Sequence, residues 1–286
     1  MVISTYSLQH RRPQQEDYSF YRKTDLPNVS NGLLIIAGVV DGHGGGLTAF
    51  FVSKYLPENI ELFFYQKHRS MTDNTHLAIE EIKTAITDII EKTDSELLKK
   101  YNLTLSEAED EDVNTSGAVA SFYVVYNKHI IVFQIGDSRV MIFNSKLDNP
   151  LIFETPRHNV HNVTEKQRVI DAGGGWSYDG RVGGYMQPSR VFGDFHIKKC
   201  TPGLILTPEI FCIKTDCNPQ SICIISCTDG ADAIKAEDFN NFFKIVNNDC
   251  ERESLESKME ILKLLEKDRH DNVTMQVHFL IRYEYN

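Results

Sequence analysis

The sequence lacks an apolar run long enough to span a bilayer, which takes about 18 residues, and its N-terminus has no signal-peptide pattern. These absences predict a protein without membrane association, located in the cytoplasm or nucleus. Basic residues are also outnumbered: 30 Lys and Arg stand against 40 Asp and Glu, for a formal charge of -10. Because non-specific nucleic-acid binding needs a basic surface, we expect no nucleic-acid partner.

Cysteine is absent from the first two thirds of the chain, and the later cysteines form no CxxC pair. They are Cys200, Cys212, Cys217, Cys223, Cys227 and Cys250. This spacing favours buried free thiols over zinc sites or disulfides. No internal repeat is visible, and biased composition is confined to an acidic run at residues 107–112, for which we expect a solvated loop.

The 286 residues, 41% of them hydrophobic, suffice for one large domain or two small ones. The predicted strands are 1–8 at a sheet edge, 18–21, 33–40, an antiparallel meander of 119–126, 130–135 and 140–143, then 221–227 and 273–281. The predicted helices are one that follows the glycines at 44–46 and ends before Pro57, then 76–101, 164–172, 236–245 and 253–266. We interpret this order as two sheets packed face to face with helices on their outer faces.

The unbroken apolar run at residues 33–40 is typical of a buried strand, and it ends at Asp41, Gly42 and His43. A buried strand is a rigid support for whatever follows it. The glycines at 44–46 let the backbone turn sharply and approach an ion or anion. Such an ending is also common in ordinary polar turns, so it gains meaning only because other strands end in the same way.

Carboxylates recur at these strand boundaries. Asp229 and Asp271 flank two later strands, as Asp41 ends the central one, and Glu16 and Asp17 precede another. If the strands are neighbours, the carboxylates meet, and their mutual repulsion favours a bound divalent cation. Oxygen ligands favour Mg²⁺ or Mn²⁺, since no His or Cys cluster competes as a ligand set. Two such ions roughly 4 Å apart can polarise a water molecule and clamp a phosphoryl group.

Seven motifs occur in an order that matches a known family. They are Arg-x-x-x-Glu-Asp at 12–17, Val-x-Asp-Gly-His-Gly-Gly at 39–45, Gly-Asp-Ser-Arg at 136–139, Glu-x-x-Arg-Val-x-x-Ala-Gly-Gly at 165–174, Arg-Val-x-Gly at 181–184 with Ser-Arg-x-x-Gly-Asp at 189–194, Asp-Gly at 229–230 and Asp-Asn-x-Thr at 271–274. The chain resembles the metal-dependent protein serine/threonine phosphatases of the protein phosphatase 2C type.

The resemblance implies an α+β fold in which two antiparallel sheets form a sandwich flanked by helices, an α-β-β-α arrangement. It implies a single catalytic domain over residues 1–286, with a flap at about 160–190. The activity implied is the hydrolysis of phosphoserine and phosphothreonine on phosphorylated proteins, by a monomer that uses two Mg²⁺ or Mn²⁺ ions.

The resemblance also implies residue roles. Asp41 would bridge two ions, and Gly42 would offer its carbonyl oxygen to one of them. Glu16 would join the ion on the Gly42 side, directly or through water, and Asp229 and Asp271 would hold the other ion.

Four further roles follow from the same motifs. Asp17 would orient a metal-bound water, and Asp137 with Asp229 could complete a weaker third ion site. Arg12 would grip the phosphate through its planar guanidinium. His43 would protonate the leaving oxygen.

Several positions depart from the family pattern. They are Ala-Val at 118–119, which follow Gly117, then Gln134, Thr-Pro-Arg-His at 155–158, Met-Gln-Pro at 186–188 and Ala-Asp-Ala at 231–233. These departures motivate an alternative, a catalytically weak or inactive phosphatase-like protein with a regulatory or binding role. A phosphatase of small metabolites is a third possibility.

Some polar and aromatic residues have an ordinary structural interpretation. His158, His161, His196 and Arg190 are expected to support the flap rather than to perform chemistry. Trp176 either anchors its loop or contacts the substrate, and the sequence leaves both roles open.

Overall fold

The computed structural model describes residues 2–30, 32–105, 116–144, 146–215, 221–239, 255–266 and 270–280. The strands of these ranges are β1 (Val2–Leu8), β2 (Tyr18–Asp25), β3 (Leu33–His43), β4 (Gly117–Tyr126), β5 (His129–Ile135), β6 (Arg139–Asn144), β7 (Leu151–Glu154), β8 (Phe192–Gly193), β9 (Glu209–Lys214), β10 (Ile222–Cys227) and β11 (Val273–Phe279). The α-helices are α1 (Leu47–Ser70), α2 (Ile79–Leu105), α3 (Val163–Asp171), α4 (Phe195–Cys200) and α5 (Leu255–Leu265). The acidic run at 107–112 lies outside the described residues.

The strands form two antiparallel sheets. One has the order β1-β11-β10-β6-β7, and the other has the order β2-β3-β4-β5-β9 with β8 paired to β4. The predicted edge position of β1 is confirmed. The predicted meander was wrong, because β5 and β6 belong to different sheets. The turn between them contains Gly136 at φ 95°, a conformation that favours glycine, and it carries the chain from one sheet to the other.

Apolar side chains of the two sheets face each other and form the central core, with Ile35 and Tyr123 from one sheet and Ile142 and Ile224 from the other. The opposite face of the β3 sheet packs against α1 and α2. The opposite face of the β10 sheet packs against α5. The alternation of strand side chains thus produces four layers, which confirms the predicted α-β-β-α sandwich.

The first helix does not end before Pro57, as the sequence predicted, but continues through it to Ser70. A proline inside a helix lacks a hydrogen-bond donor and costs about 3 kcal/mol. The face of α1 that carries Leu56, Ile60 and Phe64 is fully buried against the sheet. Burying each such side chain contributes about 1.5–3 kcal/mol, so tertiary packing outweighs the local cost.

The C-terminal part of the chain differs from prediction in smaller ways. Of the predicted helix at 236–245, the described residues are a 3-10 turn at Ala236–Asp238 and the helical Phe239, and residues 240–245 lie outside the described ranges. None of the described helices combines the length and apolar character needed to cross a bilayer.

The predicted burial of the thiols is correct for only part of the set. Cys223 and Cys227, on the central strand β10, are buried thiols. Cys200, on the short helix α4, and Cys212, on the edge strand β9, are free but exposed, so the prediction was wrong for them. Residues 217 and 250 lie outside the described ranges.

Candidate active site

The strand registers bring the acidic motifs to one end of the sandwich. The start of β2 lies beside the end of β3, since Tyr18 pairs with Val40. In the other sheet, the end of β10 lies beside the start of β11, where Cys227 pairs with Met275. The strand β3 extends through His43, so Asp41 lies within a paired strand rather than in a turn after it.

Three aspartates from the two sheets meet at this end. The backbone N–H of Asp229 donates a hydrogen bond to Oδ2 of Asp41 over 3.4 Å. The hydroxyl of Thr228, one residue earlier, donates to Oδ2 of Asp17 over 2.8 Å. The segment after β10 therefore binds the carboxylate that precedes β2 and the carboxylate near the end of β3. These two hydrogen bonds join the two sheets at the site.

Burial and mutual repulsion perturb these carboxylates. Burial, with the charges of Asp229 and Asp17, raises the pKa of Asp41 well above its ordinary value. Burial raises the pKa of Asp17 to about 7, and the charge of Asp229 adds to this effect while the Thr228 bond opposes it. Burial and the charge of Asp271 raise the pKa of Asp229 to about 6. Such shifts indicate crowded negative charge that a cation would relieve.

Arg12 and Glu16 complete the rim of this acidic cluster. The guanidinium of Arg12 is half exposed and forms an ion pair with Asp271. Glu16 accepts a hydrogen bond from the backbone N–H of Gly45 over 2.7 Å, and its own N–H donates to the Asn272 side chain over 2.9 Å. The sequence did not identify the role of Asn272, which ties the loop before β2 to the start of β11.

Gly42 lies where a side chain has no room. A Cβ at this position would lie 2.6 Å from the carbonyl oxygen of Glu16 and 2.9 Å from the Cβ of Ala49. Glycine at 42 therefore allows the Glu16 backbone to approach the end of β3 closely.

Asp137, in the turn between β5 and β6, is buried beside the same cluster. Burial, with the charge of Asp229, raises its pKa to about 7. The turn is held by Gln134, whose amide donates to the carbonyl of Gly136 over 2.8 Å. Gln134 thus performs a structural role although it departs from the family pattern.

A cavity of about 530 Å³ lies between the acidic cluster and the flap. On the side of the acidic cluster, the cavity is lined by Asp137 and Asp229. Another wall is formed by Arg157 and Asp232, which form an ion pair. The buried Arg139 supports this wall by donating to the carbonyl of Ala231 over 2.9 Å. The sequence did not reveal the Arg157–Asp232 pair, because the two residues are 75 positions apart.

His43 extends from the end of β3 toward a carboxylate that the sequence left without a role. Its Nε2 lies 2.6 Å from Oδ2 of Asp194, whose side chain is fully buried. Asp194 belongs to the Ser-Arg-x-x-Gly-Asp motif, and that motif was the only signal pointing to it.

The flap segment, residues 160–190, contains α3 followed by an irregular chain. Glu165 is buried and accepts hydrogen bonds from Arg168, Ser189 and Arg190. The indole N–H of Trp176 donates to the carbonyl of Lys166 over 3.2 Å, so Trp176 anchors its loop to α3.

Two of the four residues expected to support the flap have such contacts. The carbonyl oxygen of His158 accepts from the Ser189 N–H over 2.8 Å, and Arg190 donates both to Glu165 and to the carbonyl of Thr207. Neither contact reaches the acidic cluster.

The acidic cluster has the chemistry of a divalent-cation site. It consists of hard oxygen donors, and burial together with their mutual repulsion raises the pKa of three of them. In the part of the chain that the structure describes, no three acidic, histidine or cysteine side chains already form a closed ligand set. Several of the oxygens instead accept protein hydrogen bonds, as Glu16 does from Gly45. We conclude that the residue types and their convergence fit a divalent cation. To bind it, these oxygens would exchange their present hydrogen bonds for contacts with the ion.

Comparisons with known proteins agree with this geometry. Probable protein phosphatase 2C 11 of Arabidopsis thaliana is 32% identical over 206 residues, 71% of this chain and 48% of that protein. Protein phosphatase 1L of Bos taurus is 28% identical over 278 residues, 96% of this chain and 71% of that protein. The chain spans about half the length of several curated relatives that it matches.

A solved structure supports the fold. The crystal structure of a serine-threonine phosphatase 2C from Toxoplasma gondii superposes with a TM-score of 0.72 at 19% identity, over 97% of this chain and 94% of that one. In addition, the model of the family described as Protein phosphatase 2C matches residues 3–266. Since that match includes six of the seven motifs and most of the sandwich, the chain belongs to the protein phosphatase 2C family.

Proposed function

We propose that this protein hydrolyses phosphoserine and phosphothreonine on phosphorylated proteins, using a water molecule activated by a dinuclear Mg²⁺ or Mn²⁺ centre. The observation that carries the proposal is the meeting of Asp41, Asp17 and Asp229 at one end of the sandwich, with Asp271 and Arg12 at its rim. A monomeric catalytic domain over residues 1–286 and a location in the cytoplasm or nucleus stay predictions.

The chain would hold the ions through residues from both sheets. Asp41 would hold both ions, with Gly42 and Glu16 on one side and Asp229 and Asp271 on the other. When bound, two such cations would lower the pKa of a water molecule and neutralise charge on the phosphoryl group.

The remaining polar groups would act on water and substrate. Asp17, buried against Thr228, would orient a water molecule, and Asp137 with Asp229 would complete a weaker third site. The Arg12 guanidinium, which lies exposed at the rim, would turn from Asp271 to the phosphate, whose oxygens match its planar donors. His43 would give a proton to the seryl or threonyl oxygen as its bond to phosphorus breaks, with no phosphoenzyme.

A catalytically inactive relative is the less favoured alternative. The contacts among Asp17, Asp41 and Asp229, with Asp271 at the rim, support an active enzyme, and Gln134 still holds the turn that carries Asp137. Arg157 and Asp232 both lie where the sequence departs from the family pattern. They form an ion pair with each other, so these departures do not open the site. The cavity beside the flap would receive the chain that flanks the phosphorylated residue.

The first prediction concerns the metal. A phosphoserine or phosphothreonine peptide should be hydrolysed in Mn²⁺ or Mg²⁺, and the rate should fall to background in EDTA and recover when the ion is restored. The measurement is phosphate release, with peptide and metal varied separately. Turnover that persists in EDTA would refute the metal role, and binding of phosphopeptide without turnover in either metal would favour the inactive alternative.

The second prediction concerns His43. Substituting alanine should slow hydrolysis of a phosphoserine peptide by about 10²-fold, the usual contribution of a general acid. An aryl phosphate should lose much less, because a phenolate leaves without protonation. Initial rates on both substrates measure the ratio, and equal losses would show that His43 is not the acid.

A further inference from the structure

We propose that Asp194 is a positioning residue for the reaction: it accepts a hydrogen bond from Nε2–H of His43 and so leaves Nδ1–H as the group that protonates the leaving oxygen. This inference rests on the proposed function, since it concerns the proton donor of the same site. It assigns a role to a residue that the sequence left without one.

The contact is short and well shielded. The two atoms are 2.6 Å apart, and the Asp194 side chain has no exposed surface while that of His43 is one third exposed. A carboxylate can only accept, so the ring nitrogen is the donor. A hydrogen bond on one imidazole nitrogen determines which nitrogen remains for chemistry.

The local backbone shows that Asp194 is diverted from its usual role. It occupies the N-cap position of α4, where an aspartate ordinarily accepts hydrogen bonds from the first turn of the helix. Here it makes no side-chain capping bond, and its backbone is left-handed, with φ 48° and ψ 36°. The side chain is directed at His43 instead, although this conformation is uncommon for a residue with a Cβ.

The second carboxylate oxygen supports the same conclusion. Oδ1 of Asp194 is buried and has no hydrogen-bond partner within the described parts of the chain. Such an unsatisfied buried oxygen is costly and calls for an explanation. With Oδ1 unpaired, the contact of Oδ2 with His43 is the one side-chain hydrogen bond that Asp194 makes within the described parts of the chain.

Gly117 makes room for this pair. A Cβ at this position would lie 1.9 Å from Oδ2 of Asp194 and 2.4 Å from Nε2 of His43. The glycine at the start of β4, next to one of the departures from the family pattern, is thus required for the two side chains to meet.

The proton accounting is simple. A water molecule loses a proton to solvent as its oxygen forms a bond to phosphorus and the bond from phosphorus to the seryl oxygen breaks. The seryl oxygen takes the proton from Nδ1 of His43, and solvent returns a proton to Nδ1 before the next turnover. The Nε2 proton stays on the ring, hydrogen-bonded to Asp194. Asp194 neither gives nor receives a proton, so its effect is confined to the leaving group.

The test compares two substrates in the metal-loaded protein. Asp194→Asn should lower kcat on a phosphoserine peptide at least about 10-fold and kcat on p-nitrophenyl phosphate less than about threefold, since only the alkoxide needs an acid. Asp194→Asn combined with His43→Ala should be no slower than His43→Ala alone, because the two residues act as a unit. Gly117→Ala should give the same selective loss.

Asp94→Asn is the matched control. Asp94 accepts from the Gly193 N–H over 2.7 Å and pairs with Lys198, so it supports the same segment without touching His43. Its replacement should change both substrates by the same factor. Equal losses on both substrates in Asp194→Asn, or losses that multiply in the double variant, would overturn the inference and leave the proposed function intact. A wild-type protein inactive on both substrates would overturn the proposed function first.

A measurement on the wild-type protein covers the case in which Asp194→Asn fails to fold. Proton–nitrogen NMR, assigned with His43→Gln, should show the ring proton of His43 on Nε2 and protected from exchange. A neutral ring protonated on Nδ1 alone, or an unprotected Nε2 proton, would contradict the proposed contact.

Discussion

Replacing Asp229 with asparagine is expected to lower the rate of metal-dependent hydrolysis by about 10²–10³-fold and to make the metal-free protein more stable. Asp229 touches Asp41 and lies near Asp271, and burial together with the charge of Asp271 raises its pKa to about 6. A carboxylate that ionises under such repulsion destabilises the folded state at neutral pH. Asparagine keeps the shape of the side chain and removes its charge. We therefore expect the free energy of unfolding of the metal-free protein to rise by about 1–3 kcal/mol, since a shift of one pKa unit corresponds to ~1.4 kcal/mol.

The two halves of this prediction have separate measurements. Thermal unfolding in EDTA should show a higher midpoint for Asp229→Asn than for the wild type, and in Mn²⁺ the order should reverse because only the wild type gains from the ion. Phosphatase activity in Mn²⁺ should fall by about 10²–10³-fold, the loss typical of one electrostatic group at a reacting centre. Asp88→Asn, on the exposed face of α2, is the control and should change neither. An Asp229→Asn protein that is less stable than the wild type in EDTA would refute the idea of accumulated negative charge.

The sequence predicted the fold class and the proximity of Asp41 and Asp229, because both depend on strand ends. The apolar strands β3 and β10 carry an Asp-Gly pair at or just after their ends, and these patterns are local. Antiparallel pairing then places the ends at one edge, so Asp41 and Asp229 meet. Their predicted convergence follows from topology rather than from side-chain detail.

The sequence could not predict features that depend on tertiary packing. The contact between His43 and Asp194 joins residues 151 positions apart, and its only sign in the sequence is the motif that ends at Asp194. The helix that continues through Pro57 is stabilised by a buried face whose partner sheet is formed elsewhere in the chain. The chain crosses from one sheet to the other between β5 and β6. Two short strands joined by a turn have the same sequence pattern whether they pair with each other or belong to different sheets.

Glu165→Gln is expected to destabilise the flap segment more than any other single exchange of a flap carboxylate. Glu165 is buried and accepts from Arg168, Ser189 and two nitrogens of Arg190, a mostly buried guanidinium. Removing one charge of a buried pair leaves the other unpaired, at a cost of about 3 kcal/mol. Because these contacts tie α3 to the chain before β8, the loss should concentrate in residues 160–190 and reduce activity on phosphoproteins through the flap.

The stabilisation that Glu165 provides should depend on pH, and the direction of this dependence follows from its pKa. Burial opposes ionisation of Glu165, but the hydrogen bonds from Arg190, Arg168 and Ser189 outweigh it and hold its pKa well below the ordinary value. A carboxyl with a lowered folded pKa stabilises the protein above its unfolded pKa, about 4.3, and loses that contribution as the pH falls toward the folded value. The stability difference between wild type and Glu165→Gln should therefore be constant from about pH 6 to 8 and shrink below about pH 4. Hydrogen exchange of flap peptides and unfolding at each pH measure this stability difference. The control is Glu80→Gln, at an exposed position on α2, which should change stability by less than about 0.5 kcal/mol. A difference that grows as the pH falls, or unchanged exchange in the flap at pH 7, would show that the two arginines do not depend on this carboxylate.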